Sequence, residues 1–401
     1  MISPRSIDRL LSGGDAGASR WLAVLAAAVA FLVASATAGN PPAAVNQAAI
    51  LADTPAQTLS AYRFFADVQG RPEPNVGVTP YDLNTPLWSD GALKLRYVYV
   101  PPGAQAQYRD DGVFEFPVGT VLIKTFAYPA DMRAPNDDVR LLETRLLIRR
   151  SDGWVALPYV WNEEGTDAVY APIGADLPVS LTWTNGETIA IDWNVPNRNQ
   201  CKGCHDRGGA ITPIGPTARN LNRHYLDESQ FEEDFFDTGH VYTINQLFVW
   251  EQLGIISDVP GEPPPHPLAR VEPNAPRAPN AYDPASGALD ERARAYLDVN
   301  CAHCHNPEGP AHTSGLDLRW NAGPAIAWGV GKRPTAAGRG SAGMEFAIEP
   351  GHPERSFLLH RMESEDPGVM MPELGRTLTD ERAVALIREW IAAMNEDGEV
   401  R

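Results

Sequence analysis

An α+β, multidomain fold is predicted by three features of the sequence. Short β-type runs recur at even spacing over residues 81–195. Two C-x-x-C-H pentapeptides stand at 201–205 and 301–305. Amphipathic helical patterns flank the second of them. The N-terminal part is expected to form an antiparallel β-sandwich or barrel-like domain. Two small, mainly α-helical units should follow, one around each pentapeptide. A length of 401 residues allows two or three domains, and 43% hydrophobic with 21% charged residues describes a globular chain. Gly and Pro, 34 and 36 residues, argue against long regular helices, and a net charge of −18 argues against nucleic acid as a partner.

The elements follow in chain order. Residues 1–20 carry Arg5, Arg9 and Arg20, an apolar run follows from Trp21 to Ala34, and Ala34-Ser35-Ala36 and Ala36-Thr37-Ala38 fit a small-residue cleavage site. Residues 1–38 therefore read as a secretory signal peptide, and the run is short for a membrane span, which needs about 20 apolar residues. The expected location is periplasmic or secreted, with no stable membrane span after cleavage. A short helix is expected around Ala61–Phe65. The β-rich domain, residues 41–195, has strands predicted at Lys94–Val100, Gly119–Phe126, Leu141–Arg149, Trp154–Trp161, Leu181–Trp183 and Thr188–Trp193. Asp110-Asp111-Gly112, Ser151-Asp152-Gly153 and Asn185-Gly186 supply hairpin turns.

Residues 196–257 form the unit around the first pentapeptide. Asn194–Gln200 reads as a loop, and a helix opening at Thr243, with Gln246 as its capping-box partner, ends at Gly254. Residues 258–288, with Pro263-Pro264-Pro265, read as a semi-rigid linker or a surface belt. Residues 289–401 form the second unit. Leu289, Ala293, Tyr296, Leu297 and Asn300 share one face of a helix leading into Cys301. A terminal helix capped by Thr379 carries the stripe Val384, Ile387, Trp390, Ile391 and Met394.

The chemistry lies in the cysteines. An exported chain with four cysteines suggests disulfides, but all four fall in Cys201-Lys202-Gly203-Cys204-His205 and Cys301-Ala302-His303-Cys304-His305. Two thiols one helical turn apart can each form a thioether with a haem vinyl group, and the next residue offers an imidazole to the iron. A four-cysteine zinc site usually spaces its pairs by about 15–20 residues; here 96 residues lie between Cys204 and Cys301, and zinc gives no reason for both histidines. A thioredoxin-like pair lacks its βαβ context. The expected cofactors are two covalently attached haem c groups, on Cys201 and Cys204 and on Cys301 and Cys304. His205 and His305 are the expected iron ligands.

Residues 289–401 resemble cytochrome c domains of the planctomycete type. The residues that carry the resemblance are Cys301–His305, Pro350-Gly351-His352-Pro353-Glu354-Arg355-Ser356, Met371-Pro372, Leu378-Thr379-Asp380-Glu381 and Trp390-Ile391. The chain after the leader resembles a family of exported di-haem c-type cytochromes of little-defined role. In the β region this rests on Pro86–Gly91, Glu143–Leu147 and Tyr159–Glu164. The resemblance implies two haem units and names no substrate.

The remaining ligands differ between the motifs. For the second haem, Met371 before Pro372 resembles the usual Met-Pro ligand pair, with Met370 as the alternative. For the first, no methionine lies between His205 and Met344. His240, just before the Thr243 helix, is the leading candidate and His224 the second; Met132, Met344 or an open site are the others. The ring N–H of His205 is expected to reach the carbonyl of Pro216, as the resemblance suggests. That of His305 has Pro310 nearby, with its partner left open. His303 reads as a solvated spacer. The expected function is electron relay through two haems to a redox partner with a basic docking surface, favoured by the acidic charge. The alternative is a di-haem peroxidase or small-substrate oxidase with an open site at the first haem.

Overall fold

Strand after strand of β-branched and aromatic residues, joined by tight turns, builds an antiparallel meander at the centre of this protein. The computed structural model describes residues 43–68, 70–224, 244–265 and 271–400, so the expected signal peptide lies outside the described residues. The sheet runs β1 (Val78–Pro80), β2 (Leu93–Tyr99), β3 (Val121–Pro129), β4 (Val139–Arg150), β5 (Gly153–Trp161) and β6 (Ala168–Tyr170), each paired antiparallel with the next. Ser151-Asp152-Gly153 turns β4 into β5, and Gly153 takes a positive φ of 138°. A separate antiparallel ribbon, β7 (Ala175–Thr182) with β8 (Thr188–Val195), turns at Asn185-Gly186.

Both faces of the meander are covered, which is why its strands read as mixtures of alternation and apolar run. One face, with Tyr97, Tyr99, Val121, Ile123, Leu146 and Tyr159, packs on Ile50 of the short helix α1 (Gln47–Leu51) and on Leu59, Tyr62 and Phe64. Residues 59–62 form a 3₁₀ turn and Phe65 opens a short strand, where a helix around Ala61–Phe65 was expected. Here the Ala56 N–H donates to Tyr62 Oη at 3.2 Å, Tyr62 and Tyr159 hydroxyls lie 2.9 Å apart, and Tyr159 Oη donates to the Ala56 carbonyl at 2.9 Å. Tyr62→Phe opens this ring of bonds between two buried tyrosines. A loss of about 1–2 kcal/mol is expected, read as a lower urea midpoint at unchanged m-value.

The other face is divided into three zones. At one end Val98 and Leu122 pack with Phe114 and Phe116, with Leu221 of α3 (Ala218–Leu221) and with Leu247, Phe248 and Trp250 of α4 (Gln246–Gln252). At the other end Phe126, Tyr128 and Leu142 pack against Val179, Leu181, Ile191 and Trp193 of the ribbon. The middle zone holds Arg96, Lys124 and Arg145 and is covered by the first pentapeptide, which lies on α2 (Arg198–His205). Thr243 lies outside the described residues; the N-cap seen for α4 is Asn245, whose side chain accepts from Leu247 N–H.

A further core joins α5 (Leu289–Asn300), α6 (Phe357–Glu363) and α7 (Glu381–Ala392) through Ala293, Leu297, Leu359, Ile387, Trp390 and Ile391. Asp380, one residue after the expected Thr379, caps α7 by accepting from Ala383 N–H at 3.2 Å.

Two small, mainly α-helical units do not form. The described chain is mostly β with seven α-helices, and after residue 196 only α5 and α7 reach twelve residues. The β part corrects the expectation too. It is an open six-stranded sheet with a separate ribbon on one face, neither closed into a barrel nor built of two equal sheets. Frequent Gly and Pro interrupt helix hydrogen bonding around both pentapeptides, and the chain between helices runs as loops and 3₁₀ turns. Residues Ala44–Arg401 cluster as one compact unit. The described end of the Pro-rich segment is tied to it, with Thr85 Oγ1 donating to the Pro279 carbonyl at 2.7 Å and accepting from Ala281 N–H at 3.0 Å. Among the described residues no helix is long and apolar enough to cross a membrane.

Candidate functional site

The first pentapeptide is helical. Asn197 caps α2 by accepting from Asn199 and Gln200 N–H, and the Gln200 side chain returns to the Asn197 N–H. This capping box was present in the sequence as Asn-x-x-Gln, although Asn194–Gln200 was expected to be a loop. Cys201 and Cys204, three residues apart, project from one side of this helix. The second pentapeptide starts at the C-cap of α5, where Cys304 N–H and His305 N–H both return to the Cys301 carbonyl at 3.1 and 2.9 Å. Gly309 supports this turn: a β-carbon there would collide with the Cys304 carbonyl.

Both histidines are held in one orientation. After His205, the tight β9 (Asp206–Arg207) and β10 (Ala210–Ile211) hairpin returns the chain, so that the Thr212 carbonyl lies 2.8 Å from His205 Nδ1. Nδ1–H donates there, which leaves the Nε2 lone pair bare. His305 Nδ1 lies 2.9 Å from Ser314 Oγ. That hydroxyl donates to the Ala311 carbonyl at 2.7 Å, so it accepts from the ring. Thr212 and Ser314 thus stand where Pro216 and Pro310 were considered. Short return loops, invisible as periodicity, decide the partner. Burial pushes both imidazoles down to about 4, so both are neutral near pH 7.

Each motif opens on a cavity. His305, Cys301 and Cys304 line one of about 480 Å³, together with Tyr296, Phe357, Leu318 and Met371. Its volume lies in the range of small-molecule sites, about 300–1,000 Å³. Met371 is on this wall, whereas Met370 is buried and lines neither cavity. The Met371 loop is pinned by Arg376, 5% exposed, which donates to the carbonyls of Met371, Arg361, Met362, Ser364 and Leu378. His205, Cys201 and Cys204 line a narrower cavity of about 180 Å³, whose walls include the sheet residues Arg96, Leu122, Lys124, Arg145 and Leu147.

The two motifs meet in space. Cys304 Sγ contacts the Gly203 carbonyl at 3.5 Å, and the Cys204 and Cys304 thiols interact. Arg207 pairs with Glu308 at 2.7 Å, and Gly208 N–H donates to the Glu308 carbonyl at 3.1 Å. Asn300 and His303 line both cavities. His303 is no solvated spacer: it is half-buried, its Nδ1 is buried without a partner, and its side chain engages Cys204.

The remaining candidates separate. His224 lines neither cavity; its Nε2 lies 2.8 Å from Glu272 Oε1. His240 lies outside the described residues. Among the described residues Met132 and Met344 also line neither cavity. Sequence reasoning missed Lys124 and Arg96 as wall residues. Their alternation with Leu122 and Val98 signalled a shared face, but not what that face meets.

Each motif therefore offers two free thiols and one bare imidazole nitrogen beside a cavity. Among the described residues no three His, Cys, Asp or Glu side chains converge to chelate an ion. The donor set suits a group that brings its own chelating nitrogens and needs only axial and thioether bonds from the chain. Arg96 Nη2, buried without a partner, would be satisfied by an acceptor on a group bound in the narrower cavity. Comparison with family models, with curated proteins and with solved structures finds no match.

Proposed function

We propose that this chain is an exported di-haem c-type cytochrome. Within that class, we infer a protein that relays electrons between redox partners, and that belongs with the exported di-haem cytochromes its motifs resemble. The observation that supports the reading most is the contact between two C-x-x-C-H motifs 100 residues apart, each with its histidine Nδ1 hydrogen-bonded and a cavity beside it. Cys201 and Cys204 would hold one haem and Cys301 and Cys304 the other. His205 and His305 would ligate the irons. When bound, such groups supply reversible one-electron chemistry. The chain's own part is to fix each imidazole through Thr212 or Ser314, to wall the cavities with apolar side chains, and to present Met371 to the second site. Thioether ligation raises reduction potential, so the second site is the higher of the two. The net charge of −18 favours a basic partner and docking that weakens as salt rises.

The test is made on the exported, matured protein. Two covalent haems per chain are expected from the pyridine haemochrome assay and from intact mass. Potentiometric titration should give two separate waves. A chain without covalent haem would overturn the reading. Met371→Ala should remove the near-infrared methionine-to-iron band, leave haem content at two per chain and lower the upper potential; an unchanged band would remove Met371 from the ligand set.

A further inference from the structure

We propose that Lys124 is the second protein ligand of the haem iron at the first motif. The inference rests on the haem reading above and deepens it at the site where no methionine is at hand.

The sheet makes the argument. Its register sets Arg96 of β2 opposite Lys124 of β3, and Lys124 opposite Arg145 of β4. Three cationic side chains therefore stand abreast on one face, directly on the wall of the cavity that His205 lines. Like charges in such a row repel. Two of them are compensated: Arg96 Nη1 meets Asp82 at 2.7 Å, and Arg145 pairs with the fully buried Glu143. Lys124 makes no direct ion pair among the described residues; the carboxylate whose charge reaches it, Glu143, is already engaged by Arg145. Its Nζ stands over the Phe126 ring, with the centroid 4.7 Å away.

A third charge at this place is expensive, and a neutral amine is not. Burial, and then the charges of Arg96, Lys94 and Arg145, push the Lys124 ammonium well below the ordinary lysine range. The neutral amine carries a free lone pair, which is what an iron ligand must supply. The bond uses that pair, and the proton of the ammonium form leaves to solvent.

The competing donors on the same wall are weaker. Tyr81 packs edge-on against Trp250 and its phenol is pushed up to about 12. His303 belongs to the second motif and engages Cys204. No methionine lines this cavity among the described residues.

The experiment uses the matured protein with its haem content measured first, followed by electron paramagnetic resonance and near-infrared magnetic circular dichroism of the ferric form. Wild type should carry two low-spin haems per chain. Lys124→Ala should keep two haems per chain, lose half of the low-spin signal, bind one cyanide per chain and keep the methionine band of the other haem. Lys124→Met retains a long unbranched side chain. It should stay low-spin and gain a second methionine band, which serves if the alanine variant matures poorly. A Lys124→Ala or Lys124→Met spectrum identical to wild type overturns the proposal, as does a wild-type protein with one high-spin haem. Loss of the same half of the signal in His240→Ala or His303→Ala, with Lys124→Ala unchanged, also overturns it. A wild-type chain with no covalent haem fails the underlying reading instead, and the haem assay separates that case.

Discussion

Cys301→Ser combined with Cys304→Ser is expected to cut covalent haem from two per chain to one. Serine keeps the size and polarity of the thiol but forms no thioether with a vinyl group. The double change leaves the backbone of the turn in place: the Cys301 N–H closes the last turn of α5 onto the Leu297 carbonyl, and the Cys304 and His305 N–H groups return to the Cys301 carbonyl, all through backbone alone. The consequence for stability is larger. A cavity of about 480 Å³ lined by Tyr296, Phe357 and Leu318 would remain unfilled by the covalent group, and unfilled apolar space costs stability in proportion to its volume. The pyridine haemochrome assay should read half the wild-type value, with a lowered thermal midpoint. The reciprocal pair, Cys201→Ser with Cys204→Ser, should also halve the haem but keep the methionine band. A value that stays at two in either variant would remove that motif as an attachment site.

Asp90→Ala should cost about 4 kcal/mol of folding stability, the largest loss expected from a residue outside the motifs. Asp90 is 3% exposed. Its carboxylate accepts from Thr377 N–H at 2.8 and 2.9 Å, from Thr377 Oγ1 at 3.0 Å and from Leu378 N–H at 2.7 Å, and its carbonyl accepts from Tyr128 Oη at 2.6 Å. Burial pushes its carboxyl up, against the pull of these bonds from Leu378 and Thr377. Alanine would strand two backbone N–H groups in a buried place. It would also sit at a φ of 47°, which Asp and Asn tolerate better than Ala. Beside this clasp the Trp88 N–H donates to Asn300 Oδ1 at 2.7 Å and Trp88 Nε1 to the Leu378 carbonyl at 3.2 Å. The segment Pro86–Gly91 thus ties the loop that bears Met371 to the sheet. Asp90→Asn, which keeps an acceptor and the backbone preference, should lose about half as much. Urea denaturation measures both, and a loss under about 1 kcal/mol for Asp90→Ala would show that the clasp carries little.

Much of the sheet was legible in the sequence. The β-type runs at Lys94–Val100 and Leu141–Arg149 lie within a residue or two of β2 and β4, because β-branched and aromatic runs between Asp-Gly and Asn-Gly turns report locally. Helices α5 and α7 were legible for the same reason: an apolar stripe at helical spacing depends only on neighbours along the chain. The two helical units were misread because helices at 289–300 and 381–392 do not fix what fills the chain between them. His224 was misplaced because nothing local distinguishes a histidine aimed at a cavity from one that meets Glu272.

The cysteine–histidine spacing is contained in five consecutive residues, so the sequence by itself determined which thiols and imidazoles the chain can offer, together with its acidic balance. Only the tertiary structure decided that the two motifs touch, that Thr212 and Ser314 hold their histidines, and that Met371 lines a cavity while Met370 does not. It also decided that Lys124 stands between two paired arginines facing His205's cavity. Alternation along a strand assigns a residue to one of two faces. What covers that face is set largely by segments outside the strand and its turns, and no local pattern carries that information.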